Sequence, residues 1–174
     1  MEDAVYLTGG FDRHVAKEAK KDRLKPSDRA GNVIGAICAL VFALYFTVLN
    51  DSDSGFFAAD ITRTELFLFL WVAYFGIVPG LMKAVLGRKN VTRPLEIIVS
   101  ISMLIAVALF ISSFPFDFDH LGDSLPGSLE FLVSWIDDGI AKFVMWLTVI
   151  VNVVMIPYTV LLYLGVRSKL MMKA

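Results

Sequence analysis

The sequence is short of three things that many enzymes and transporters use. It has one cysteine, Cys38, and two histidines, His14 and His120, in 174 residues. One cysteine cannot form an internal disulfide, a CxxC redox pair or a zinc cluster. A quinone-linked thiol oxidoreductase is thereby excluded. A bis-histidine haem needs two histidines at bilayer depth, and these two lie in separate polar segments. No HExxH, GxSxG, GxxxxGKS/T or aspartate-rich prenyl-diphosphate motif occurs, so polytopic proteases, prenyltransferases and ATP-driven functions lose their required residues.

The third shortage is charge. Only 19% of residues are Asp, Glu, Lys or Arg, while 57% are hydrophobic. Four stretches carry no charge at all: 31–49, 66–82, 97–116 and 143–166. About 20 apolar residues rising 1.5 Å each cross a 30 Å hydrocarbon layer. The four stretches therefore predict transmembrane helices TM1 to TM4 in an all-α bundle, within a membrane domain over 30–174. A water-soluble globule, a disordered chain and an all-β sandwich are excluded. No ionisable Asp, Glu, Lys, Arg or His lies within any span, which argues against proton-coupled pumps, drug antiporters and voltage sensors. The net charge of −1 gives no reason to expect nucleic acid.

The charges that exist alternate. Lys and Arg number seven before TM1, one between TM1 and TM2, four between TM2 and TM3, one between TM3 and TM4, and three after TM4. Four spans put every basic cluster on one side. The positive-inside rule then predicts cytoplasmic termini and a plasma (inner) membrane location, with two acidic loops outside. Trp71, Trp135 and Trp146 fall in the outer half of that topology.

Two flanking elements are expected. Phe11, Val15 and Ala19 recur every four residues among Lys17, Lys20, Lys21 and Arg23, which predicts an amphipathic helix over 12–24 lying on lipid headgroups within the cytoplasmic segment 1–29. Pro26 ends it, and Ser27 is the expected cap of TM1. On the outer side, Leu129, Leu132 and Ile136 with Phe131 and Trp135 predict an interfacial helix over 128–138 before TM4. No internal repeat is visible, so an inverted-repeat transporter has no support.

Three residue sets are candidates for function. Gly31, Gly35, Ala39 and Ala43 form a column of small residues on TM1, and Gly76 and Gly80 form a shorter one on TM2 beside Pro79. Such columns let helices approach closely in lipid. Packing of TM1 on TM2 is favoured over a homodimer face, and Gly35→Leu is expected to be damaging. On TM4, Thr148, Asn152 and Thr159 lie along one side with Pro157 among them, forming a polar stripe and pore candidate. A buried amide needs partners, so Asn152 should face the bundle. In the second acidic loop, Asp117, Asp119, His120 and Asp123 form a candidate metal site, with zinc or manganese as the fitting ion. The run beginning at Asp51 and Asp53 fails as a calcium loop, because Phe56 and Thr62 stand where glycine and glutamate are needed.

These readings favour a non-catalytic membrane protein, not an enzyme and without a cofactor. It would act in the lipid bilayer as an accessory or assembly subunit, or as a small homo-oligomer. The alternatives are an oligomeric channel for a small solute and an outer-face metal-dependent enzyme.

Overall fold

A computed structural model describes residues 2–52, 54–123 and 125–172, with side chains from residue 9 onward. Asp53 thus lies outside the described residues. Among the described residues six α-helices follow in order: α1 (Glu2–Lys20), α2 (Pro26–Asp51), α3 (Arg63–Phe75), α4 (Ile77–Leu86), α5 (Arg93–Ser113) and α6 (Asp138–Met171). Among the same residues four spans are long and apolar enough to cross a membrane: α2, α3 with α4, α5, and α6. Among the described residues the β pairing is limited to two isolated bridges, Arg23 with Arg88 and Phe57 with Phe116.

The chain is an all-α membrane protein whose spans pack in a definite order. α5 lies between α6 and α3, and α2 packs on α4 and α3. α1 folds back along the far end of α6. Each long helix leaves a broad apolar side uncovered, with Ile34, Phe42, Val85, Phe143 and Val154 among the exposed residues. Exposed apolar side chains at this density suit hydrocarbon as the solvent.

Local chemistry sets the helix ends. Pro26 opens α2 at its first turn, with Lys25 rather than Ser27 in the capping position. Proline suits that place because its missing N–H has no partner there anyway. Thr62 and Glu65 form a reciprocal capping box on α3: the Glu65 amide donates to Thr62 Oγ1 at 3.2 Å, and the Thr62 amide donates to Glu65 Oε2 at 2.8 Å. Asp137 caps α6 by accepting from the Ile140 amide at 2.8 Å.

The second span is two helices rather than one. Pro79 lacks the N–H that the Phe75 carbonyl would accept four residues earlier, and its ring crowds that carbonyl. α3 accordingly ends at Phe75. Gly76 makes the joint, and a Cβ there would stand 2.9 Å from the Val72 carbonyl oxygen. Pro157 has no such effect, since α6 runs unbroken through it.

The segment 128–138 is not the expected helix. It forms turns around a three-residue 3-10 helix, Glu130–Leu132, and Leu129, Phe131, Leu132 and Trp135 are exposed. The N-terminal helix is also placed differently. It ends at Lys20, and Val15, its most buried described side chain, packs on Leu162 and Val166 of α6. α1 belongs to the fold rather than resting on headgroups by its apolar side.

Each end of the bundle is sealed in its own way. At the acidic end, two loops fold inward and seat Phe56 and Phe116 against Phe46, Val72 and Phe110. The Phe46 and Phe56 rings lie 5.3 Å apart, and Phe110 and Phe116 lie 5.1 Å apart, edge to face. The Asp117 amide donates to the Phe56 carbonyl at 2.8 Å, and the Ala58 amide to the Pro115 carbonyl at 3.1 Å. The Tyr45 hydroxyl donates to the Leu121 carbonyl, tying α2 to the second loop. At the basic end the seal is ionic.

Candidate functional site

The acidic-end cluster comes together around the His120 imidazole. His120 Nδ1 lies 2.8 Å from Asp123 Oδ2, and Nε2 lies 3.9 Å from Asp117 Oδ2. The other oxygen of Asp117 accepts the Asp119 amide at 3.1 Å. Beneath the imidazole is Gly55, with φ +90°; a Cβ there would reach the ring at 3.1 Å. Only glycine meets both demands without strain. Among the described residues, no group of three or more His, Cys, Asp or Glu side chains is disposed to hold a metal ion. Asp117 and Asp123 flank the His120 imidazole. The Asp123 hydrogen bond, reinforced by the charges of Asp117 and Asp119, raises the His120 pKa above its ordinary value.

The α6 polar stripe does not join helices. Thr148 Oγ1 donates to the Val144 carbonyl at 2.8 Å, and Asn152 Nδ2 donates to the Thr148 carbonyl at 2.8 Å. Both bonds lie within α6, one turn back. Pro157 is exposed, and Thr159 is half-buried. A side-chain hydrogen bond between spans lies elsewhere: Thr47 Oγ1 of α2 is 2.8 Å from the Tyr74 hydroxyl of α3.

The small-residue columns meet, one step out of register. Gly80 approaches the Asn32 carbonyl and Ala36, where a Cβ would sit 3.6 and 3.8 Å away. Ala36 and Ala43 are buried, while Gly31 and Gly35 are exposed. A Cβ at Gly31 or Gly35 would meet nothing within 4 Å. Those glycines, with Ala39, Gly76 and Gly80, line a trough of about 480 Å³ between α2 and α4, and Lys83 and Lys89 stand at its basic end. Gly35 is therefore not an internal packing residue.

The most elaborate polar structure was not among the candidates. Asp22, Asn90, Thr92 and Arg93 are all buried at the basic end. Arg93 Nη1 donates to Asn90 Oδ1 at 2.8 Å, and Arg93 Nη2 donates to Glu18 Oε2 at 3.1 Å. The Asn90 amide donates to Asp22 Oδ1 at 2.7 Å. Lys83 pairs with Glu96 at 2.6 Å. Arg29 of α2 donates to the Ala84 and Val85 carbonyls at 2.6 and 3.1 Å, capping the last turn of α4. That turn has orphan carbonyls and the negative end of the helix dipole, so a cation fits it. Gly87, at φ +62°, closes the same turn.

No protein-family model, curated protein or solved structure matches the chain.

The His120 arrangement has a measurable consequence. An imidazole with a raised pKa contributes stability below its unfolded pKa of about 6.5, and that contribution is lost as pH rises through the folded value. The NMR titration midpoint of His120 is expected above 6.5 and should fall in Asp123→Asn. A midpoint at or below the ordinary value in the unmodified protein would contradict the pairing.

Proposed function

We propose that the protein is a non-catalytic membrane subunit that receives a transmembrane helix of a partner protein in the α2–α4 trough. One observation carries this reading: Gly31 and Gly35 line an open trough in the membrane-spanning region, with no atom of their own chain where a side chain would stand. Small residues allow backbone approach, and in lipid that approach provides the dispersion and Cα–H contacts that hold helices together. Lys89 at the basic end of the trough suits a partner with an acidic residue just outside its span. Asp28 lines the same end beside Lys89, so a partner helix flanked by one acidic and one basic residue fits both charges.

An oligomeric channel draws less support. Its pore candidate on α6 spends Thr148 and Asn152 on bonds within the helix. An outer-face metal enzyme draws less, since among the described residues the His120 cluster is not disposed to hold a metal ion.

Gly35→Leu tests the docking reading. The added side chain enters open space, so the thermal midpoint of the isolated protein in detergent should stay within about 2 °C, as for a surface change of under 0.5 kcal/mol. Crosslinks from a photoreactive residue at Gly31 to a membrane partner should disappear in the same variant. Crosslinks to a second copy of this chain, or partner crosslinks that survive Gly35→Leu, would overturn it.

We further infer that the basic end faces the cytoplasm of a plasma (inner) membrane. The support is the segregation of basic clusters to one end of the four spans. In a Cys38→Ser background, Ser54→Cys should react with an impermeant thiol reagent in intact cells, while Lys89→Cys should not. The reverse labelling would invert the topology.

A further inference from the structure

Among the basic-end cations that no described residue neutralises are Lys20, Arg23 and Arg88. Arg23 and Arg88 stand opposite each other in an isolated antiparallel bridge. The bridge is closed by the Leu24 amide donating to the Gly87 carbonyl and the Lys89 amide donating to the Asp22 carbonyl, both at 2.9 Å. These bonds come from the neighbours on either side. Arg23 and Arg88 are therefore the non-hydrogen-bonded pair, the closer of the two kinds, with Cα atoms about 4.5 Å apart and side chains on one face. Like charges in that position repel.

Among the described residues, neither guanidinium nor the Lys20 ammonium has a hydrogen bond or ion pair. The nearby acids are already engaged. Asp22 is buried and holds the Asn90 amide at 2.7 Å, and Glu18 holds Arg93 at 3.1 Å. Lys20, Arg23, Asp22 and Arg88 line a cavity of about 350 Å³, with Ala19 and Leu170 as its apolar wall.

The depth of this cavity points to its occupant. The charge-free run of the second span ends at residue 82, and Leu86, the last residue of α4 and two before Arg88, lies four residues further, about 6 Å along the helix. Headgroup layers extend about 5–8 Å beyond the hydrocarbon on each side. The cradle is therefore level with lipid phosphates. Guanidinium groups grip phosphate oxygens two at a time, and basic pockets beside membrane helices bind anionic headgroups.

We propose that Arg23 and Arg88, with Lys20, bind a phosphate group carried by an anionic membrane lipid. The two guanidinium groups take the unesterified oxygens, Lys20 adds a point charge, and Leu170 and Ala19 border the first carbons of the lipid. This site is separate from the α2–α4 trough and does not depend on the function proposed for it.

The test uses the full chain purified in a neutral detergent. Thermal unfolding is followed against added phosphatidic acid, phosphatidylcholine with the same acyl chains, and inorganic phosphate. Phosphatidic acid should raise the midpoint of the wild type, and phosphatidylcholine should not. The Arg23→Gln/Arg88→Gln variant should need at least tenfold more phosphatidic acid for the same rise, whereas Lys17→Gln on the exposed side of α1 should match the wild type. Without lipid, the double variant should unfold at the same temperature or higher, because a repulsion has been removed. Equal shifts by phosphatidic acid in wild type and double variant would overturn the site. So would a lower lipid-free midpoint in the double variant with no change in lipid response. A rise with inorganic phosphate as large as that with phosphatidic acid would overturn the lipid as the source and assign the cradle to soluble phosphate.

Discussion

Hydrocarbon cannot hydrate an ion, and the whole molecule is organised around that constraint. The four spans contain no Asp, Glu, Lys, Arg or His in their apolar runs, and the charges collect at two ends. Concentrating seven basic and six acidic residues in 1–29, next to the basic clusters at 83–93 and 167–173, creates a second problem. Ions placed close to a low-dielectric layer are costly unless paired and hydrogen-bonded. The basic end solves it with Glu18, Asp22, Asn90 and Arg93, and no buried side-chain nitrogen or oxygen among the described residues lacks a partner. Removing one member of such a group strands a charge and costs about 3–5 kcal/mol. The position of α1 follows from this network together with the Val15 contact on α6.

The two ends use different physics, which gives them different roles. At the acidic end the loops turn phenylalanine inward, and backbone bonds between 56–58 and 115–117 hold the plug. Lys142 lies 4.0 Å above the Phe114 ring and adds a cation–π contact where α6 begins. That end is closed by apolar packing, with His120 and its carboxylates outside it. The basic end has polar residues inside and unpaired cations at its edge, and it adjoins the trough. Both proposed binding surfaces therefore lie toward the same side of the membrane.

Much of the architecture was legible in the sequence because hydrocarbon imposes a coarse pattern. Charge-free length and alternating basic clusters determine the four spans almost regardless of detail. Rotations and long-range pairs are another matter. The column at Gly31, Gly35, Ala39 and Ala43 has the right period, but period does not fix how α2 turns about its axis, and the close contact runs through Asn32 and Ala36. The break at Gly76 was written in Pro79, four residues after Phe75, yet Pro157 has the same chemistry and leaves α6 intact. Residues 128–138 have helical apolar spacing, but they are short, follow Pro126 and Gly127 and lie in exposed turns, so little offsets the cost of nucleating a helix. The clamp joins Glu18 to Arg93 and Asp22 to Asn90 across 75 and 68 residues; no local motif announces pairs at that distance. In the acidic loops the aspartates drew attention, while Phe56 and Phe116, the residues that shape the loops, had only their hydrophobicity to mark them.

The central claim is that α1 is an integral part of the fold, docked on α6 at the basic end. Val15 Cβ lies 3.7 Å from the position a Cβ would take at Gly165, within the range of about 3.5–4.5 Å that a disulfide requires. Val15→Cys with Gly165→Cys, in a Cys38→Ser background, should form an intramolecular disulfide in native membranes under mild oxidation, seen as a reducible shift in gel mobility. Neither single variant should show that shift. Two free thiols under the same oxidation, both open to alkylation, would contradict the account and return α1 to the membrane surface.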